Sequence, residues 1–224
     1  MCFSATASFT AAAGLAAIGV WSVRGAPSRR HAPLAAIPLL FAVQQAAEGA
    51  LWLVLDRAPF HNSPSAVAQA FLFFALFVWP AYVPVSLLLL EPRASRRRWL
   101  ALLAAVGIGL GVYLMAVSLF RWSSACIAYG NIYYAVHVDA PLKRLVPFVY
   151  VAVVTAPMLL STVRGTRVLA ALTIASFALT GAFFKAGFAS VWCFAAAVLS
   201  GCVAMVVRAG STAASSSAVV SEPR

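Results

Sequence analysis

Long runs of apolar residues, broken by short polar stretches, are the main pattern along this chain. An α-helix that crosses a lipid bilayer needs roughly 20 residues of this kind in succession. The breaks combine proline with charged or small polar residues, as in 25–30, 62–64 and 91–93, and such breaks end helices. The pattern predicts seven transmembrane helices, near residues 8–23, 33–55, 66–90, 98–120, 144–163, 167–185 and 187–207.

The composition leads to the same fold class. Hydrophobic residues make up 63% of the 224 residues and charged residues only 9%, whereas a soluble domain is about half apolar and about a quarter charged. Because one soluble core of this length cannot enclose so much apolar surface, the lipid bilayer must cover it. We therefore expect an all-α integral membrane protein, with a seven-transmembrane-helix bundle over 1–208 and a disordered cytoplasmic tail over 209–224.

The distribution of charge predicts an orientation. A net charge of +11 would suit a nucleic-acid partner if the basic residues shared one soluble face. They lie at helix ends instead, so no nucleic-acid partner is expected. Eleven of the 16 lysines and arginines, beginning with Arg24, Arg29 and Arg30, fall in alternate loops and in the tail. Because basic loops stay in the cytoplasm, we expect the N-terminus outside and the C-terminus inside.

Glu48 is the one of the five acidic residues that the predicted spans place well inside the membrane. An ionisable side chain there costs at least a few kcal/mol, so it should face protein or water. Gln44, Glu48 and Trp52 are spaced i, i+4, i+8 on one face of the second helix, and Gln45 lies beside them. We expect Glu48 to contact polar groups of another helix, either as a catalytic or ligand-binding group or as a hydrogen-bond clamp.

Aromatic residues of other predicted helices are further candidates for ligand binding. Trp79 and Tyr82 share a face of the third helix, and Tyr150 lies in the fifth. Pro80 and Pro84 free backbone carbonyls at mid-membrane depth and predict a kink in the third helix. The kink either shapes a cavity or reflects packing alone.

Glycines of the fourth predicted helix indicate close packing between helices. Gly107 and Gly111 form a small-xxx-small pair, with Gly109 between them. They follow no strand, so a nucleotide-binding loop is a poor interpretation, and close approach of a second helix is the better one.

The longest segment between predicted spans, residues 121–144, indicates a β-hairpin. Its Gly130-Asn131 pair is flanked by isoleucine and tyrosine residues, which favours a short hairpin lying over the bundle. Such a hairpin could cover a cavity that opens outward, or its tyrosines could form an aromatic belt at the membrane interface.

Cysteine positions allow two disulfide pairings on the outer side. Cys2, Cys126 and Cys193 are the candidates, paired as Cys2–Cys126 or Cys126–Cys193. Cys2, Cys126, His61 and His137 match no known spacing of metal ligands, so neither a metal nor a cofactor is predicted.

Two stretches resemble an uncharacterised family of bacterial multi-pass membrane proteins. They are residues 1–9, MCFSATASF, and residues 38–52, PLLFAVQQAAEGALW, with its Gln-Gln, Glu-Gly and Trp pattern. The family is common in actinobacteria and is carried as a domain of unknown function. The resemblance implies a shared architecture over most of 1–207 and a location in the bacterial plasma (cytoplasmic) membrane, and it implies no reaction.

Three interpretations of function stay open, and whether the chain is an enzyme stays open with them. The first is binding of a small or lipid-like molecule, with Glu48 at the floor of a cavity. The second is an enzyme acting on an apolar substrate, which resembles the integral-membrane terpene cyclases in size and helix number, with Glu48 as proton donor and aromatic rings stabilising cations. The third is a structural or accessory membrane subunit.

Two classes of seven-helix protein do not fit. A retinal protein needs a lysine at mid-depth in the last helix, and this chain has none there. Zinc-dependent membrane hydrolases need several intramembrane histidines, whereas His31, His61 and His137 lie in loops or at helix ends.

Overall fold

The computed structural model describes residues 4–57, 66–121, 123–184 and 187–220. Within these ranges it contains seven helices long and apolar enough to cross a membrane, as the apolar runs predicted. They are α1 (Ala5–Arg24), α2 (Ala32–Arg57), α3 (Ala66–Leu90), α4 (Ala94–Phe120), α5 (Ala140–Leu160), α6 (Thr166–Phe183) and α7 (Phe188–Arg208). The chain is therefore a multi-pass membrane protein.

Several helices begin earlier than their apolar runs, for identifiable local reasons. Ser4 caps α1, since its side-chain oxygen accepts a hydrogen bond of 3.2 Å from the N–H of Ala7. Pro141 lies in the first turn of α5, where a proline needs no hydrogen-bond partner for its nitrogen. The arginines at 96–98 form the early turns of α4, because a polar helix start can lie outside the apolar core of a bilayer.

The last helix continues past residue 208, where the membrane domain was expected to end. It is helical from Phe188 to Val220, and the alanines within 209–220 have the highest helix propensity of any residue type. This helical course differs from the disordered tail expected over 209–224, and residues 221–224 lie outside the described part of the chain.

The third helix contains a stretch of π-helix, from Phe73 to Val78. The N–H of Trp79 donates to the carbonyl of Phe74, five residues earlier. The next bond in that register would run from Pro80 to Ala75, but proline has no N–H. The hydroxyl of Tyr150, on α5, donates to the Ala75 carbonyl instead, at 2.5 Å. The irregularity expected at Pro80 therefore takes the form of a π segment, held by a side chain of another helix.

The small-xxx-small pair of α4 packs against this irregular part of α3. A Cβ atom at Gly107 would overlap the carbonyl oxygen of Pro80, and one at Gly111 would lie 3.1 Å from the backbone of Phe77. Gly109 has no neighbour within 4 Å of its would-be Cβ. The predicted close packing is confirmed for Gly107 and Gly111.

A two-stranded antiparallel sheet lies between α4 and α5, as predicted. Strands β1 (Ser124–Ala128) and β2 (Asn131–Ala135) pair with Cys126 opposite Tyr133. The turn consists of Tyr129 and Gly130, both with positive φ (51° and 72°), and so lies one residue before the predicted Gly130-Asn131 pair. Asn131 instead begins β2, and its side-chain amide donates to the Tyr129 carbonyl at 3.1 Å.

The helices alternate in direction, so the bundle has two distinct ends. The hairpin and the first residues of α1, α3, α5 and α7 lie at one end, called here the hairpin end. The turns 91–93 and 161–165 lie at the other, called here the arginine end. The tightest packing joins α1 to α2 and α3 to α4, while α7 contacts α1, α2 and α6. At the arginine end Arg208 lies 3.7 Å from the ring centre of Trp21, which fixes α7 to α1.

Candidate functional site

Glu48 is fully buried, and its two carboxylate oxygens accept hydrogen bonds from two different helices. Gln45, on the same helix, donates from Nε2 to Oε2 at 3.2 Å. Ser190, in the first turn of α7, donates from its hydroxyl to Oε1 at 2.5 Å. The expectation that Glu48 faces the interior and contacts a polar group of another helix is confirmed.

The neighbouring glutamine extends this polar cluster to α3. The indole Nε1 of Trp79 donates to Oε1 of Gln44 at 2.7 Å. The Trp79 ring stacks on Phe41, with 3.8 Å between ring centroids and 17° between planes. One face of α2 is thus joined to α7 through Glu48 and to α3 through Gln44.

Some polar atoms of this buried cluster have no hydrogen-bond partner within the part of the chain that the structure describes. They are Nε2 of Gln44 and Oε1 of Gln45. An unpaired buried polar group costs about 1–3 kcal/mol. The cluster therefore has hydrogen-bonding capacity beyond what its described protein contacts use.

Two cavities adjoin this cluster and meet at Tyr150, Trp192 and Cys193. One, of about 60 Å³, extends towards the arginine end, and the other, of about 240 Å³, extends towards the hairpin end. Cys193 also lies close to Gln44 and Glu48, so the polar cluster and the cavities adjoin at this residue.

The cavity walls are almost entirely apolar. The smaller cavity is lined by side chains such as Phe41, Trp79 and Leu169, and the larger one by Leu114, Val138 and Phe177 among others. Lys143, in the first turn of α5, is the one charged residue among the described residues that line the two cavities. Glu48 itself is not part of either wall.

Hydrogen bonds and ring contacts hold the aromatic walls in place. Tyr150 is fixed by its bond to the Ala75 carbonyl, and Trp192 donates from Nε1 to the hydroxyl of Ser176 at 3.3 Å. The Trp192 ring makes edge-to-face contacts with Tyr150 and Phe177, at 5.5 and 5.2 Å between centroids. The cavities are thus preformed spaces between fixed side chains from α3, α5, α6 and α7.

The structure brings together some of the candidate residues and separates others. Gln44, Gln45, Glu48 and Trp79 form one cluster, and Tyr150 lies on the wall of the adjoining cavities. Tyr82 lies elsewhere, because its hydroxyl donates to the Pro33 carbonyl near the arginine end, at 2.9 Å. Trp52 packs into a separate apolar cluster nearer the hairpin, with Leu51, Phe71 and Tyr134.

Residues of the last helix complete the site, and the sequence had not singled out most of them. Ser190, Trp192 and Cys193 provide the carboxylate partner and the shared wall. Ser190 and Cys193 are three residues apart and so share a face of α7. A lone serine in an apolar span usually bonds its own backbone, so it gave little signal.

The cysteines that the structure describes are free thiols. Cys126 lies on β1 and Cys193 is buried in the bundle, and no bond joins them, so the Cys126–Cys193 pairing is not formed. Cys2, required for the alternative pairing, lies outside the described residues. Within the described ranges, no three side chains from among His, Cys, Asp and Glu come together as a metal site.

Comparison with known families identifies a family for this chain and no activity. The sequence profile of a family of unknown function (DUF6629) matches residues 1–219. The chain belongs to this family. No curated protein and no solved structure matches it. The DUF6629 match spans all seven helices, the hairpin and both cavities, so membership in an uncharacterised family, which the resemblance implied, is confirmed.

Proposed function

We propose that the chain binds a small or lipid-like molecule in the two adjoining cavities, beside the polar cluster around Glu48. The observation that carries this proposal is the joint wall of Tyr150, Trp192 and Cys193, from which both cavities open. Water does not occupy apolar cavities of this kind readily, because it would lose its hydrogen bonds there. An apolar molecule fits both the lining and the lipid surroundings.

The one charged residue at the cavity edge suggests the chemistry of the ligand. Lys143 lies at the hairpin end of the larger cavity, while the smaller cavity is lined by apolar side chains such as Leu169 and Val203. A molecule with an apolar body and a polar or anionic head would place its body among the rings and its head near Lys143.

The contacts of Glu48 favour binding over catalysis. Both of its oxygens accept hydrogen bonds, from Gln45 and Ser190, and it does not line the cavities. A proton donor for an apolar substrate would have to reach that substrate. We infer that Glu48 positions α7, and with it Trp192 and Cys193, and thereby shapes the cavity wall.

We also propose the cellular setting of the site. The positive-inside rule supports an N-terminus outside and a C-terminus in the cytoplasm, which places the hairpin end outside. Together with the two stretches that resemble the actinobacterial family, this supports a location in the bacterial plasma membrane. The larger cavity then lies in the outer half of the membrane.

Filling the larger cavity tests the proposal directly. Ala189 lines this cavity, so Ala189→Phe would occupy part of its volume. Val198, on the same helix, is 61% exposed, so Val198→Phe adds the same ring on the outside of the bundle. The wild-type chain and the Val198→Phe control should co-purify with the same small molecule, detected by mass spectrometry after gentle extraction, and Ala189→Phe should lose it.

Two results would contradict this proposal. One is a wild-type chain that carries nothing beyond the bulk lipids of the preparation. The other is an Ala189→Phe variant that folds and retains the molecule as well as the control does.

A further inference from the structure

A second cavity system lies at the arginine end and is unrelated to the apolar site. It has a volume of about 390 Å³ and lies between the turn that joins α3 to α4 and the turn that joins α5 to α6. Four of its lining residues are arginines, namely Arg93, Arg96, Arg164 and Arg167. The other lining residues are Ser161, Thr162, Val163, Gly165 and Val168. We call this cavity the arginine pocket.

A buried carboxylate joins the two turns that form the pocket. Glu91 is only 2% exposed, and its Oε2 accepts hydrogen bonds from the N–H and the hydroxyl of Thr162, at 2.9 and 3.1 Å. Its Oε1 accepts a bond of 3.2 Å from the N–H of Arg93. Because one residue holds backbone from both sides, the shape of the pocket is set before any ligand arrives.

The turn between α5 and α6 is further fixed by its own hydrogen bonds. The hydroxyl of Ser161 accepts from the N–H of Val163 at 3.1 Å, and Thr166 donates to the Val163 carbonyl at 2.9 Å. Gly165 has a φ of +88°, which allows the chain to turn sharply into the first turn of α6. Because Gly165, Arg167 and Val168 at the start of α6 line the pocket, the positive end of the α6 dipole lies beside it.

The positive charge of the pocket is largely uncompensated. Among the acidic residues that the structure describes, only Glu91 lies at the arginine end, so one carboxylate stands against the four arginines that line the pocket. One guanidinium nitrogen of Arg96 donates to the Leu160 carbonyl at 2.8 Å, which orients this side chain and leaves its other N–H groups for a further acceptor.

We propose that the arginine pocket binds a phosphate group. Guanidinium groups match the oxygens of a phosphate in a planar, two-pronged arrangement, and a helix N-terminus adds backbone N–H donors. The pocket lies at the end of the bundle, level with the helix ends, where a phosphate can come from the headgroup of an anionic lipid or from a soluble phosphate compound. This site does not depend on the proposed ligand of the apolar cavities.

Two arms of one experiment distinguish these sources. The full chain is placed in lipid nanodiscs of phosphatidylcholine, and its melting temperature is followed while phosphatidylglycerol replaces part of the lipid in one arm and inorganic phosphate is added in the other. We expect saturable stabilisation in at least one arm. Stabilisation by phosphatidylglycerol alone identifies a lipid headgroup, and stabilisation by inorganic phosphate identifies a soluble phosphate as a sufficient ligand.

A matched pair of double variants separates the pocket from general surface charge. Arg164→Gln/Arg167→Gln removes two arginines of the pocket, and Arg97→Gln/Arg98→Gln removes two exposed arginines of α4 that do not line it. Because two guanidinium groups that can donate to the phosphate are lost, the pocket variant should weaken apparent binding at least about tenfold. The α4 variant should bind almost as the wild type does.

The proposal is overturned by either of two results. One is a lack of saturable stabilisation in both arms. The other is an equal loss of binding in the two double variants, which would mean that surface charge alone attracts the phosphate. If the pocket double variant does not fold, the single variant Arg167→Gln, which changes one exposed side chain, is compared with Arg98→Gln by the same criterion.

Discussion

Glu48 connects α2 to α7 through the hydrogen bond that it accepts from Ser190, and a second bond from Gln45 of its own helix explains how a carboxyl group is tolerated inside the bundle. The Ser190 hydroxyl, at 2.5 Å, and the Gln45 amide, at 3.2 Å, supply donors that water would otherwise provide. If this acceptor is removed, the buried donors lose their hydrogen-bond partner. Leaving a buried donor unpaired costs more free energy than a hydrogen bond contributes on balance. The side chain therefore matters for stability whatever else it does.

Shortening Glu48 should destabilise the fold. We expect Glu48→Ala to lower the free energy of unfolding by roughly 1–3 kcal/mol, because Ser190 and Gln45 lose their acceptor. Glu48→Gln should cost less, since its amide oxygen can still accept a hydrogen bond from Ser190. The Gln45 side chain can also turn its Oε1, which lacks a described partner, to accept a bond from the new amide nitrogen. Unfolding in detergent, followed by circular dichroism, measures both.

The control for this series lies on the same helix. Val43 is 55% exposed, so Val43→Ala changes a side chain outside the bundle and should have little effect. If Glu48→Ala unfolds under the same conditions as Val43→Ala, the carboxyl group does not clamp the helices.

Individual residues show why part of the site could be predicted from the sequence and part could not. The i, i+4 spacing of Gln44 and Glu48, together with the cost of a carboxyl group in lipid, was enough to indicate an inward polar face. Tyr82 lies about one turn along α3 from Trp79, and the sequence could not show that its hydroxyl bonds to the Pro33 carbonyl, 49 residues away. The partner Ser190 lies 142 residues away, and only the packing of α7 reveals that pairing.

At the scale of elements, α3 is the helix whose irregularity organises its neighbours. Proline in the sequence predicts a local break, but it cannot show that the chain enters a π turn or that Tyr150 of α5 satisfies the Ala75 carbonyl. Similarly, Gly107 and Gly111 predict close packing without naming the partner. The hairpin was shifted by one residue because Tyr129, rather than Asn131, adopts positive φ.

Two glycines of α4 provide a direct test of the α3–α4 contact. A methyl group in Gly107→Ala would overlap the Pro80 carbonyl, which is backbone and cannot turn away, so α3 and α4 would have to separate. Overpacking of this kind costs about 1–3 kcal/mol. Gly109→Ala, two residues along, meets nothing within 4 Å and should leave the melting temperature almost unchanged. Equal melting temperatures for the two variants would rule out the close contact.

At the scale of the whole molecule, the two ends of the bundle differ in the chemistry that they present. The arginine end carries exposed arginines from the turns and helix ends, whereas the hairpin end carries a two-stranded sheet with the exposed ring of Tyr129 at its tip. Arg121 and Asp139 join the base of this hairpin, with 2.6 Å between their closest atoms.

Hydropathy was sufficient to predict the seven helices, because every backbone group in lipid has to be satisfied within a helix. It could not predict the cavities, which depend on side-chain packing between helices far apart in sequence.

The orientation of this asymmetric bundle can be tested by labelling introduced cysteines in intact cells. Tyr129 at the hairpin tip is 91% exposed, and Arg29 is exposed between α1 and α2 at the other end. Arginine-rich loops are retained in the cytoplasm. A membrane-impermeant maleimide should therefore label Tyr129→Cys in intact cells and Arg29→Cys only after lysis. Labelling of the wild-type chain is subtracted as background. The reverse result would place the hairpin in the cytoplasm. The arginine pocket would then face outward and the larger apolar cavity would lie in the inner half of the membrane, so this experiment decides which compartment supplies each ligand.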